Sequence, residues 1–245
     1  MSKFVIAVCI NLCSLVLILP AISARGQNRI YVDIDASGVN NGESWVNAFT
    51  DLQSALQIAG NGDEIWVAEG IYHPVMPASP TVVTDFEKSR SFRLLDGVGV
   101  FGGFSGVEST LDERDFRMNE TILSGDLLDN DNNNVVVGEP TRTDNTWLIV
   151  KLGDLDLGTV GSNTVLDGFT ISGGNADPPD LNPSNAGAAI NIIGFGGDPS
   201  TPMLRNLQLT SNSSFLAELS TVFSQIPQLQ TRPFPVTPPL LTAAG

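Results

Sequence analysis

Cysteine, histidine and positive charge are all scarce in this chain. The only cysteines, Cys9 and Cys13, fall within the first 24 residues. That stretch reads as a secretory signal peptide (1–24). Lys3 is its positive start, an apolar run extends from Phe4 to Leu19, and Pro20, Ala21, Ser23 and Ala24 suit peptidase cleavage. Cleavage leaves no cysteine, so no disulfide holds the remaining chain. A single histidine, His73, without cysteine neighbours excludes an ordinary zinc site. Twelve basic side chains face 27 acidic ones, for a formal net charge of −15. That balance argues against nucleic acid and anionic membrane as partners. It also disfavours acidic polysaccharides unless cations bridge the two. No second long apolar run follows, so no transmembrane span is expected after signal cleavage.

Helical periodicity is nearly missing as well, and occurs once. Phe49, Leu52 and Leu56, with Ala55 and Ala59, form one apolar stripe. Thr50 and Gln53 have capping-box spacing, and Gly60 stands where a left-handed residue would end the helix. The pattern predicts a helix over 51–59. Ile65-Trp66-Val67 follows as a short buried strand, then Ile71-Tyr72. Beyond them, short apolar bursts alternate with Gly, Asn and Asp, as in short strands. One helix followed by many strands predicts a cap on a stack of strands, covering its edge and core.

Two internal comparisons support a repeat. Val100, Ile122, Ile149, Ile171 and Ile192, one from each burst, are separated by nearly even steps. Such steps suit a solenoid of about 20–25 residues per repeat. Leu166, Phe169 and Ile171 recur, at one constant offset, as Leu204, Leu207 and Leu209. Leu-x-x-Φ-x-Φ, where Φ is apolar, predicts two short strands meeting at a corner, with all six side chains inward. Between them, 177–185 and 194–202 are loops rich in Pro, Asn and Gly, which place function outside the core. The pattern stops after Ser214. The expected division is a repeat domain over 28–214 and an irregular or disordered tail over 215–245, from a truncation or a reading-frame change near residue 214. A short C-terminal cap over 215–226 is the alternative.

Several segments carry a family resemblance. They are the 45–72 stretch, Ser91-Phe92-Arg93-Leu94, Val98 to Gly106, Glu113-Arg114-Asp115-Phe116, Thr121 to Asp126, Asp144-Asn145-Thr146-Trp147, and Val165 to Asn175. Together they resemble bacterial right-handed parallel β-helix proteins of the pectin-lyase-like superfamily, including surface proteins akin to polymorphic outer-membrane proteins. The resemblance implies an all-β fold, a right-handed parallel β-helix (solenoid) with an N-terminal capping α-helix. It implies a secreted, periplasmic or cell-surface location. The implied role is a non-enzymatic interaction, adhesion or glycan binding, with an extracellular polysaccharide or surface protein as partner. The alternatives are a polysaccharide lyase or glycoside hydrolase, and a non-functional truncated paralogue.

Candidate chemistry is concentrated after residue 125. Asp129, Asp131 and Asn133 copy the first half of a calcium loop, making calcium the candidate cofactor. The second half fails, because Asn134 and Pro140 stand where Gly and the bidentate Glu belong. Asp126, Asp129, Asp131 and Asp167 are the carboxylates expected to line one face. No adjacent Asp pair, Gly-His-Gly or Arg-Ile-Lys signature accompanies them, so no catalytic residue is assigned. Trp45 and Trp66 read as packing residues, whereas Trp147 is open to a sugar-stacking role. Arg114 and Asp115 read as braces of a turn. Asn119-Glu120-Thr121 and Asn212-Ser213-Ser214 match the glycosylation pattern, which is idle in a bacterial chain.

Overall fold

The structure, a computed structural model, describes residues 27–76, 79, 81–136, 138–153, 158–176, 188–194, 199–214 and 230–231. The signal segment, the 177–185 loop, 195–198 and nearly all of the tail lie outside the described residues. Fifteen short strands and two α-helices are present among those described.

Every strand pairing is parallel. The first sheet joins β1 (Arg29–Val32), β2 (Glu64–Ala68), β5 (Gly99–Phe104), β8 (Val165–Asp167) and β12 (Met203–Arg205) in that order. The second joins β3 (Gly70–Tyr72), β6 (Thr121–Ser124), β9 (Thr170–Ser172), β13 (Gln208–Thr210) and β15 (Gln230–Thr231). The third is β4 (Phe92–Leu94), β7 (Val150–Leu152) and β11 (Ile190–Ile192). A fourth pairs β10 (Asn175–Ala176) with β14 (Ser213–Ser214). The only tail residues described, Gln230 and Thr231, pair with Gln208 and Leu209.

This arrangement overturns the expected all-β right-handed parallel β-helix. The described strands lie in separate parallel sheets with two helices, an α/β-type arrangement, and they do not close into a solenoid. Hydrogen-bond ladders stop at each sheet's edges. The near-even steps along the chain fail for a related reason. Val100 lies in the first sheet, Ile171 in the second and Ile192 in the third, so the bursts are not equivalent positions of one repeat. Residues that do pair are more widely and less evenly spaced: Ile30, Ile65, Val100, Leu166 and Leu204 are successive partners.

The recurrence of the Leu166 pattern at Leu204, by contrast, is a true register. Val165, Leu166 and Asp167 pair with Met203, Leu204 and Arg205, and Ile171 pairs with Leu209. Leu166, Phe169, Ile171, Leu204 and Leu207 are buried in one core, and Leu209 packs against it half-buried. That core draws side chains from the three larger sheets and from α1 (Leu52–Ile58). Helix α1 buries Leu52, Ala55 and Leu56 and packs against β1, β2 and β4.

The helix begins and ends differently from expectation. Asp51, not Thr50, is the N-cap; its carboxylate accepts from the Ser54 amide at 2.8 Å. Thr50 instead donates its amide to Asn40 Oδ1. At the other end Ala59 is extended (φ −63°, ψ 148°), and the Gly60 amide goes to Asp63 Oδ2, so no left-handed glycine is needed there. A second helix, α2 (Asp85–Lys88), was not expected from periodicity. It is one turn long and is set by the Thr84/Glu87 capping box.

Strands β2 and β5 are buried on both faces, which explains their unbroken apolar runs. Away from the main core, Trp66 stacks on Phe104 at 4.5 Å, and Tyr31 and Trp45 meet them edge-on or tilted. The Arg29 guanidinium lies 3.6 Å from the Trp66 ring centre. Trp45 and Trp66 are therefore packing residues, as read from the sequence.

Candidate functional site

The segment between β6 and β7 (125–149) carries a group of buried polar side chains: Asp126, Arg142, Asp144, Asn145 and Thr146. It is pinned to the sheets at its start, where Thr146 donates its amide to the Gly125 carbonyl and Asn175 donates to the Thr146 carbonyl. Only glycine fits at 125, because a Cβ there would stand 2.7 Å from the Gly173 carbonyl oxygen and 2.8 Å from Thr146 Oγ1. The next residue, Asp126, turns the chain by accepting from the Asn130 and Asp131 amides at 3.2 and 2.9 Å.

Asp129 is left-handed (φ 52°), which sends its side chain outward to His73 Nε2 at 3.2 Å. Asp131 turns the other way. Its Oδ2 accepts from Arg142 Nη1 at 2.7 Å and from Asn145 Nδ2 at 2.8 Å. Asn133 is exposed. The half calcium loop therefore does not converge: Asp129 and Asp131 diverge and Asn133 joins neither. Among the described residues, no three His, Cys, Asp or Glu side chains are placed to hold a metal ion together.

Asp131 lies among groups that the sequence did not single out as a site. Arg142, at the end of a 3₁₀ turn (Pro140–Arg142), is fully buried. Its Nη2 donates to the Gly174 and Ser211 carbonyls. Asp144, Asn145 and Thr146 are 7%, 1% and 0% exposed. Asn145 donates to the Gly173 carbonyl as well as to Asp131. Burial pushes both the Asp131 and Asp144 carboxyls above the usual aspartate range. Asp126's charge adds to the rise at both, and Asp144's charge adds at Asp131, outweighing the Asn145 hydrogen bond and the Arg142 guanidinium. Buried Asp131 Oδ1, Asp144 Oδ2, Asn145 Oδ1, Thr146 Oγ1 and Arg142 Nε have no hydrogen-bond partner.

A cavity of about 150 Å³ opens beside this group, lined by Lys88, Gly138, Glu139, Thr143, Asn145, Trp147 and Asn175. Lys88 Nζ lies 5.9 Å from the Trp147 ring centre and is paired with Asp85 at 2.8 Å. Glu139 accepts from Asn132 Nδ2 at 2.8 Å and Asn134 Nδ2 at 2.6 Å, and these bonds hold its carboxyl below the usual range. In the sequence Asp144, Asn145 and Thr146 carried only family likeness, and Trp147 alone was also a sugar-stacking candidate. The clustering of one acid, one amide and one aromatic there was the signal that could have marked the site.

Of the carboxylates expected on one face, Asp126 and Asp131 do adjoin. Asp167 is elsewhere, bonded by Arg114 Nη2 at 2.8 Å and Asn206 Nδ2 at 2.7 Å. Arg114 also donates to the Gly102 and Asp167 carbonyls, and Asp115 accepts from the Arg117 and Met118 amides, so both brace the chain as read.

Fold and site together describe a parallel-sheet protein with a small polar cavity over a buried acidic cluster. No family model, no curated protein and no solved structure matches the chain. The pectin-lyase-like resemblance accordingly rests on the quoted residues alone. No helix among the described residues is long and apolar enough to cross a membrane.

Proposed function

We propose that this chain is an exported or surface-displayed interaction module that binds a neutral glycan without cleaving it. The cavity beside Trp147 is the observation that carries the reading. A half-buried indole offers an apolar face for a sugar ring, while Glu139 supplies acceptors and Thr143 a hydroxyl for sugar hydroxyls. At about 150 Å³ the space suits one sugar unit of a chain rather than a large ligand. Hydrolysis by the usual route needs two carboxyl groups flanking the bond. Glu139 is the only carboxylate lining the cavity among the described residues, and its lowered pKa makes it a poor general acid. The excess of acidic residues favours a neutral glycan over a uronate polymer.

Calorimetric titration against neutral oligosaccharides, pectate and alginate tests the reading. Binding to a neutral glycan should weaken about tenfold, roughly 1.4 kcal/mol, in Trp147→Ala, with the melting temperature little changed. Binding that survives Trp147→Ala, no binding to any of the glycans, or release of reducing or unsaturated ends would each defeat it.

A further inference from the structure

The buried cluster under the cavity has an unbalanced charge. Asp126, Asp131 and Asp144 are three carboxylates, and Arg142 is the one cation bonded to any of them among the described residues. With all three ionised, two negative charges are left without a counter-charge in a largely buried site, where Asp126 and Asp144 are buried and Asp131 is half-buried. Such a group is costly unless something positive completes it. The orphaned atoms point the same way. Asp131 Oδ1, Asp144 Oδ2 and Asn145 Oδ1 are all acceptors and all buried, and none has a donor. Asn145 belongs to the cluster, because its Nδ2 holds the Asp131 carboxylate at 2.8 Å. Asp126 needs no further partner, since backbone amides satisfy both its oxygens.

We propose that Asp131 Oδ1, Asp144 Oδ2 and Asn145 Oδ1 bind one calcium ion, which neutralises the cluster. Two carboxylates, an amide oxygen and the neighbouring Thr146 hydroxyl form a hard-oxygen donor set. Calcium accepts such an irregular shell, whereas magnesium demands a near-ideal octahedron and gives up its waters reluctantly. The donors differ from the outer Asp129–Asn133 half loop: they share only Asp131, and use its unbonded oxygen, Oδ1. The site does not depend on glycan binding, because every protein donor named for it belongs to the chain itself and waters can fill the rest of the shell. Asn145 does line that cavity, so an ion there would fix one of its walls.

The test is calcium titration of the chelator-stripped full chain by calorimetry and thermal melting at pH 7, with no glycan present. One calcium should bind in the range of about 0.1–1 mM typical of extracellular sites. At 10 mM calcium a 0.1 mM site should raise the melting temperature by about 5–10 °C, and magnesium should do far less. Asp144→Asn should weaken calcium at least tenfold while leaving the metal-free protein as stable as before or more so, since it removes an uncompensated charge. Asp129→Asn, on the outer loop, should leave calcium binding unchanged. No calcium response in the wild-type chain overturns the proposal. So does a response that persists in Asp144→Asn, or one lost in Asp129→Asn.

Discussion

Removing the Arg114 guanidinium should destabilise the fold more than losing a single hydrogen bond would. Its Nη2 pairs with Asp167 Oδ2 at 2.8 Å, and its Nη1 reaches the Gly102 and Asp167 carbonyls at 3.0 and 3.2 Å. Both side chains are largely buried, 10% and 6% exposed. The contact also closes over Gly168, where φ is +85° and an added Cβ would stand 2.8 Å from Arg114 Nη1. Arg114→Met preserves apolar bulk but leaves the Asp167 carboxylate with Asn206 alone and two carbonyls without their donor. Breaking one side of a buried pair costs about 3–5 kcal/mol. For a domain of this size that corresponds to a fall in melting temperature of roughly 6–20 °C. Urea unfolding followed by the fluorescence of buried Trp66 measures it directly. The second half of the argument is a reversal of sign. Asp167→Asn should be destabilising in the wild-type chain, where it weakens the ion pair. In the Arg114→Met background it should be stabilising, because it removes an unpaired buried charge. Equal effects of Asp167→Asn in both backgrounds, additive within about 0.5 kcal/mol, would refute the pairing as the source of the stability.

Two further outcomes follow from local geometry. Gly125→Ala should destabilise the chain, with chemical denaturation as the readout, because the new Cβ meets the Gly173 carbonyl and Thr146 Oγ1 inside ordinary contact distance; unchanged stability would show that the 125–149 segment can shift. Glu108 should carry part of the acid sensitivity. Burial acts to raise its carboxyl, but hydrogen bonds from the Ser105 amide and hydroxyl and the Val107 amide hold it below the usual range. A depressed carboxyl contributes stability above its unfolded pKa and loses it as pH falls through the folded pKa. Glu108→Gln should therefore cost about 1–3 kcal/mol at pH 7, and that cost should shrink toward acid in pH-dependent unfolding. The raised Asp131 and Asp144 act in the opposite direction. Protonated, they favour the fold below the ordinary aspartate range, and that contribution fades as pH climbs through their folded pKa values. In the metal-free chain Asp144→Asn should flatten this neutral-side loss, and an unaltered pH profile would count against the buried cluster.

The sequence by itself determined the elements whose physics is local. The apolar stripe Leu52-Ala55-Leu56 placed α1 to within a residue or so, because helical burial repeats every three to four positions. The recurrence of Leu166, Phe169 and Ile171 as Leu204, Leu207 and Leu209 matched a real parallel register, because paired strands must put the same face into one core. Trp45 and Trp66 read correctly as packing, and Arg114 and Asp115 as braces. Choosing Asp51 over Thr50 as the cap needed backbone angles, since both residue types can serve. Only the tertiary structure decided which burst joins which sheet. Parallel partners such as Val100 and Leu166 are separated by whole intervening strands, so an even spacing of bursts along the chain did not mark equivalent positions. It also split the calcium-like half loop, turning Asp129 out to His73 and Asp131 in to Arg142. Asp144 and Asn145 took on meaning in the same way, through burial beside a carboxylate that is distant along the chain. Pairing and burial of charge depend on what the fold brings together across space, and a one-dimensional pattern of residue types does not contain those distances.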